Sequence, residues 1–161
     1  MTKYYIFRHG QTKYSKYHLP YPKDNRFVEI LPESKVAIEK LAKYLKKIKS
    51  LKNFSSEYRR CQQTAEIVTK ITGLKFKKDK RLNEKSGENF GDFKARVKDF
   101  IEEIEKKNYE MVMICSHGAI IAALRKMLLK KSLRITNLPF YPKTGVLMIV
   151  NGKKIEYIDF N

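Results

Sequence analysis

Two short apolar runs in this 161-residue chain end in the same way. Tyr4-Tyr5-Ile6-Phe7 leads into Arg8-His9-Gly10-Gln11-Thr12, and Met111-Val112-Met113-Ile114-Cys115 leads into Ser116-His117-Gly118. Apolar runs of this length read as buried strands. Each His therefore stands where a strand stops, and the Gly after it is expected to let the backbone turn. Ligands of open α/β sheets bind at the carboxyl ends of the strands. Two of the three His of the chain, with an Arg beside one of them, are thus predicted at one functional edge.

The rest of the pattern extends this fold. Residues 11–32 read as a loop, because Pro20, Pro22 and Pro32 forbid a long helix. Ala37, Leu41, Tyr44, Leu45 and Ile48 predict one helix face between Glu33 and Lys49, and Leu51–Ser56 a second strand. Arg60–Ile71 is predicted helical and stopped by Gly73, with an edge strand at Leu74–Lys77. Asn89 caps a helix whose buried stripe is Phe93, Val97, Phe100, Ile101 and Ile104. Ala119–Lys130 is an apolar helix, and Val146–Val150 with Lys154–Asp159 form a hairpin turned by Asn151-Gly152. Strand and helix alternate. The predicted fold class is α/β, a three-layer sandwich whose central sheet is mainly parallel. It ends in an antiparallel C-terminal hairpin and carries helices on both faces. Residues 1–161 are expected to form a single catalytic domain.

Composition narrows the function classes. The chain carries 35 Lys and Arg against 17 Asp and Glu, a net charge of +18. An anionic partner suits that balance, although Lys spread along the whole chain gives the same number without one. No nucleic-acid recognition motif accompanies the charge, so nucleic acid is not the expected partner. No run approaches a membrane span, no signal segment is evident, and Cys61 and Cys115 form no pattern. The expectation is a cytoplasmic protein with two buried thiols, no membrane association and no metal site.

The residues at the strand ends suggest chemistry. The first strand delivers Arg8 and His9, the second Arg59 and Arg60, and the third His117, the last two just before predicted helices. Arg forks and helix N-termini are phosphate ligands. A neutral imidazole is a competent nucleophile toward phosphorus, and neighbouring Arg favours the neutral ring. A carboxylic acid must then protonate the leaving oxygen. Glu84 in Arg81-Leu82-Asn83-Glu84 is the first candidate, with Glu57 and Glu88 behind it. Neither Cys has the Arg six residues on that a thiol phosphatase loop needs. Tyr14, Tyr17, Tyr21 and Phe27 either line a substrate mouth or pack the loop.

These blocks, in this order, resemble the histidine phosphatase superfamily of phosphoglycerate-mutase-like enzymes. Arg8-His9-Gly10-Gln11-Thr12 resembles its defining motif, Ser55–Ala65 its second block, Leu82-Asn83-Glu84 its acid block and Ser116-His117-Gly118 its last. The resemblance implies a phosphorylated His9, with His117 and Glu84 as further catalytic groups. It selects Arg60 over Arg59, since the Arg stands four residues before Thr64. It places Arg8, Arg60, Gln11, Thr12, Ser15 and Gly118 around the phosphate and implies no cofactor and no metal. Two departures stand out. Ser15 occupies the place of a common family Asn, and the helical insertion that commonly follows the acid is missing. The short acid loop implies an open, shallow pocket. The function so implied is metal-independent hydrolysis of phosphomonoesters, on small molecules or phosphoproteins. The alternatives are a phosphoglycerate-type mutase, a protein phosphohistidine phosphatase, or a non-catalytic binder of anions or nucleic acid.

Overall fold

The computed structural model describes residues 1–49, 52–131, 134 and 142–161. Among these residues six strands form one sheet: β1 (Lys3–Arg8), β2 (Lys52–Ser55), β3 (Lys77–Lys78), β4 (Met111–Ser116), β5 (Val146–Asn151) and β6 (Lys154–Asp159). Their order is β3-β2-β4-β1-β5-β6. The first four named in that order run parallel, while β5 is antiparallel to β1 and hairpins into β6. This is the predicted α/β sandwich.

Residue alternation along β1 builds both cores. Tyr4 and Ile6 face one side, where they meet α4 (Phe90–Lys107) and α5 (Gly118–Leu128). Tyr5 and Phe7 face the other, against α2 (Lys35–Leu45) and α3 (Arg59–Thr72). The Asn89 side-chain Oδ1 caps α4 by accepting from Asp92 N–H at 2.8 Å, and Gly73 ends α3 at a φ of 79°. Both follow from the sequence, as does the Phe93–Ile104 stripe.

Four local expectations need correction. The buried face of α2 is Ile38, Leu41, Ala42 and Leu45, one position away from Ala37, and a 3₁₀ turn at Pro32–Ser34 precedes it. The edge strand is only Lys77–Lys78, paired with Phe54 and Ser55. The second strand, Lys52–Ser55, stops one residue short of the predicted Ser56, and its predicted start at Leu51 lies outside the described residues. Residues 11–32 are not all loop: α1 (Lys13–Lys16) is a single turn held by a capping box between Thr12 and Ser15.

Gly10 is needed for space rather than for turning. A Cβ there would lie 2.6 Å from Ile38 Cδ1 and 2.8 Å from Ser34 Oγ. Gly10→Ala should therefore destabilise the fold by about 1–3 kcal/mol through overpacking, measurable by urea unfolding.

Candidate active site

The carboxyl ends of β1, β2 and β4 adjoin, and the backbone ladder continues past them. His9 N–H donates to the Ser116 carbonyl at 3.0 Å and Ser56 N–H to the Cys115 carbonyl at 3.1 Å. This registers His9, Ser56 and His117 side by side. The imidazoles of His9 and His117 stand 5.3 Å apart and both are fully buried. Arg60 arrives from the first turn of α3, also fully buried. The Thr64 hydroxyl joins these elements, donating to the Arg60 carbonyl at 2.7 Å and accepting from Gly10 N–H at 2.9 Å. That pair of bonds is the physical reason for the four-residue spacing between Arg60 and Thr64.

His9 Nδ1 lies 2.7 Å from the Gly10 carbonyl, which can only accept. Nδ1 therefore carries the proton and Nε2 presents its lone pair. Burial first, then the charges of Arg8 and Arg60, hold the His9 pKa well below the ordinary value. Burial likewise depresses His117, with His9, Arg60, Arg8 and Arg96 adding to the effect. Glu84 belongs to the same cluster. Its Oε2 is 3.6 Å from His117 Nδ1 and 3.9 Å from Arg60 Nη2. Burial raises its pKa, against the lowering pull of Arg60.

These shifts predict acid lability. Below about pH 6.5 the unfolded chain protonates imidazoles that the native state keeps neutral, so stability is lost as pH falls. Each imidazole contributes a slope of up to about 1.4 kcal/mol per pH unit. His9→Asn should flatten the pH dependence of urea midpoints in phosphate-free buffer; an unchanged profile would refute the assignment.

Two Arg pin the acid loop to α4. Arg81 pairs with Asp79 at 2.6 Å, Asp99 at 2.7 Å and Glu103 at 2.8 Å. Arg96 donates to the Arg81 carbonyl at 2.7 Å, to the Glu84 carbonyl at 3.3 Å and to Glu88 at 2.6 Å. Glu88 is thereby committed to Arg96. Glu57 accepts from Asn83 Nδ2 at 2.9 Å.

A loop covers much of the cluster, where the short acid loop implied an open basin: His9, Arg60 and His117 are fully buried and Glu84 is partly exposed. The roof is the loop after α1, which the absent insertion said nothing about. Asn25 takes both ends of the Arg60 fork, its carbonyl accepting from Nη1 at 2.7 Å and its Oδ1 from Nη2 at 3.1 Å. The Arg60 guanidinium lies between the Tyr21 and Tyr58 rings, 5.0 and 5.2 Å from their centroids. Tyr21 is anchored to Thr12 Oγ1 at 2.8 Å. Tyr17 and Phe27 remain exposed. A hollow of about 410 Å³ lined by Lys23, Asn25, Arg26, Tyr58 and Ser86 opens beside this roof.

Arg8, His9, Arg60, Glu84 and His117 are brought together, and Gly118 opens α5 directly behind His117. Ser15 is occupied elsewhere: its Oγ accepts from Thr12 N–H at 2.9 Å in the capping box. Gln11 is partly buried, and its carbonyl accepts from Leu31 N–H at 2.7 Å. Arg59 pairs outward with Glu29 and Glu66. Sequence reasoning missed Asn25, Ser56, Asn83 and Arg96. Asn25 lies in a stretch without periodicity, and the others touch the site only through partners distant in sequence. Among the described residues no three His, Cys, Asp or Glu side chains gather as a metal site, and no helix is long and apolar enough to cross a membrane.

A family model, the histidine phosphatase superfamily (branch 1), matches residues 4–86 and 83–154. The chain belongs to this superfamily. No curated protein matches it in sequence. Several solved structures share its fold. A putative α-ribazole-5'-P phosphatase from Escherichia coli superposes with a TM-score of 0.82 at 18% identity, covering 100% of this chain and 97% of that one. Bacillus stearothermophilus YhfR gives 0.77 at 20% identity, covering 97% and 95%. A mycobacterial glucosyl-3-phosphoglycerate phosphatase in complex with VO3 gives 0.74 at 21% identity, covering 97% and 96%. At these identities the likeness is one of fold.

Proposed function

We propose that the protein is a phosphatase that hydrolyses phosphomonoesters through a phosphohistidine on His9. One observation carries the reading. Buried polar groups almost always find partners. Yet Arg8 Nε, His9 Nε2, Arg60 Nε and His117 Nδ1 are buried, have no hydrogen-bond partner among the described residues, and belong to the same cluster. Three cationic or protonatable groups around one nucleophilic lone pair suit a phosphoryl group, whose oxygens satisfy such donors while phosphorus faces Nε2.

In this reading His9 Nε2 attacks phosphorus as the ester P–O bond breaks, and Nδ1–H stays on the Gly10 carbonyl. Glu84 gives its proton to the leaving oxygen, and as carboxylate then takes a proton from the water that cleaves the N–P bond. Arg8, Arg60 and His117 hold the equatorial oxygens, where the transition-state charge is spread. Phosphatase names among the fold neighbours support hydrolysis. The roof over the site favours a second reading, phosphoryl transfer as in a mutase, because excluding water preserves a phosphoenzyme.

The test compares phosphate release from an aryl phosphate with transfer to a phosphoglycerate plus its bisphosphate primer. Hydrolysis should dominate, survive excess chelator, and lose kcat/KM as salt rises, because the +18 charge steers anionic substrates. Efficient transfer with negligible release would replace the phosphatase reading with the mutase one. Loss of activity in chelator, restored by a divalent metal, would count against both.

A further inference from the structure

The hydrogen bonds behind His117 form a chain whose direction can be followed one donor at a time. Asn83 Nδ2 donates to Glu57 Oε2 at 2.9 Å, while its Oδ1 accepts from Glu57 N–H at 2.9 Å. A flipped amide would set two donors against each other and an oxygen against a carboxylate, so the orientation is fixed from both sides. Asn83 Oδ1 also lies 2.9 Å from Ser56 Oγ, and being an acceptor it takes the one hydroxyl proton of Ser56. Ser56 Oγ already accepts from Tyr58 N–H at 3.2 Å. Its remaining close partner is His117 Nε2, at 2.8 Å, and that contact is a hydrogen bond only if the imidazole donates. The Cys61 thiol, 3.5 Å from the same nitrogen, is the weaker neighbour.

We infer that Glu57, Asn83 and Ser56 are positioning residues that hold His117 as the Nε2–H tautomer. A phosphoryl group entering the site must therefore bring or draw one proton onto His117 Nδ1. The two imidazoles are then opposite tautomers, each turning a lone pair toward the phosphoryl site: Nε2 from His9, Nδ1 from His117. The first is what a nucleophile needs. The second cannot donate to a phosphoryl oxygen until it is protonated. A monoanionic ester transfers its own P–OH proton to Nδ1, and a dianion binds together with a proton from water. No bond to phosphorus changes in either case. The groups facing this imidazole are His9 and Arg8 from the end of β1, Tyr58, Arg60 and Cys61 at the start of α3, Glu84 from the acid loop and Arg96 from α4. The Arg side chains oppose the imidazolium in the ligand-free protein, and the bound phosphoryl charge reverses that balance.

The consequence rests on the phosphatase reading for where the phosphoryl group sits, but the test does not require turnover. Imidazole nitrogen NMR of the phosphate-free protein should show protonated Nε2 on His117 and protonated Nδ1 on His9. A protonated Nδ1 on neutral His117 would overturn the relay. Calorimetry of inorganic phosphate binding to the E84Q protein, in buffers of different ionisation enthalpy, removes the one carboxyl able to lend the proton. Above the second ionisation of phosphate, about one proton should be taken up per anion bound, and affinity should weaken about tenfold per pH unit. Binding without uptake in that range would overturn the consequence. Asn83→Leu leaves Ser56 free to donate to Nε2, so His117 should shift to the Nδ1–H tautomer and proton uptake should vanish. Asn83→Asp combined with Glu57→Gln keeps the acceptor without setting two carboxylates together, and should restore both. If the Leu variant does not fold, the NMR and calorimetry above still decide. Correct tautomers and proton uptake in a protein that hydrolyses no phosphoester would sink the phosphatase reading alone.

Discussion

His9→Ala should reduce turnover of any phosphomonoester substrate by about 10⁵-fold or more, the scale on which deleting a covalent nucleophile acts. The reason lies in one atom. His9 Nε2 is buried, unpartnered, and left with its lone pair by the bond from Nδ1 to the Gly10 carbonyl. No other group in the cluster replaces it once substrate is bound: Glu84 is held near its proton by burial, and the Nδ1 lone pair of His117 is used up by the proton that arrives with the phosphoryl group. Rapid quench with a labelled substrate should find an acid-labile, base-stable phosphoryl adduct on His9 in the wild-type protein and none in the variant. Near-wild-type turnover in His9→Ala would end the phosphohistidine mechanism outright, because the remaining donors bind a phosphate but cannot receive it.

Arg60→Ala is expected to lower kcat/KM by about 10³- to 10⁵-fold, the range for a guanidinium that neutralises a phosphoryl transition state. Its effect on stability should be far smaller. The acceptors it would abandon, on Asn25, sit in a partly exposed loop where water can replace the lost bonds. Arg60→Lys keeps the charge but not the planar fork stacked between Tyr21 and Tyr58, so it should recover only part of the rate. Steady-state kinetics beside urea unfolding separate the two effects. A variant that unfolds easily yet turns over within tenfold of wild type would assign Arg60 to the fold rather than to the chemistry.

The side chains gathered at the strand ends were legible from local rules and from the family resemblance together. His9 and His117 end apolar runs, Arg60 stands in the first turn of a helix, and the resemblance chose it over Arg59. The supporting layer was not legible for the opposite reason. Asn83 reaches Ser56 across 27 positions, and Asn25 reaches Arg60 across 35. No periodicity links positions so far apart. The roof was misjudged on the same ground. A missing insertion after Glu84 suggested openness, but the cover came from residues 17–29, whose conformation is set by Tyr21 on Thr12 and Asn25 on Arg60. Ser15, which the resemblance placed at the phosphate, holds with Thr12 the capping box of a one-turn helix.

His9 and His117 stand just past β1 and β4, and both of these strands are hydrogen-bonded on both sides. Among the described residues the margins of the sheet are β3, two lysines long, and β6. Proteins open from such margins inward, and backbone amides record the order by how slowly they exchange hydrogen with the solvent. The amides of Phe7, Ile114 and Cys115 should be among the last to exchange, while those of β6 should go early. Fraying of the sheet at its edges would then leave the geometry of His9 and His117 undisturbed until the whole domain unfolds.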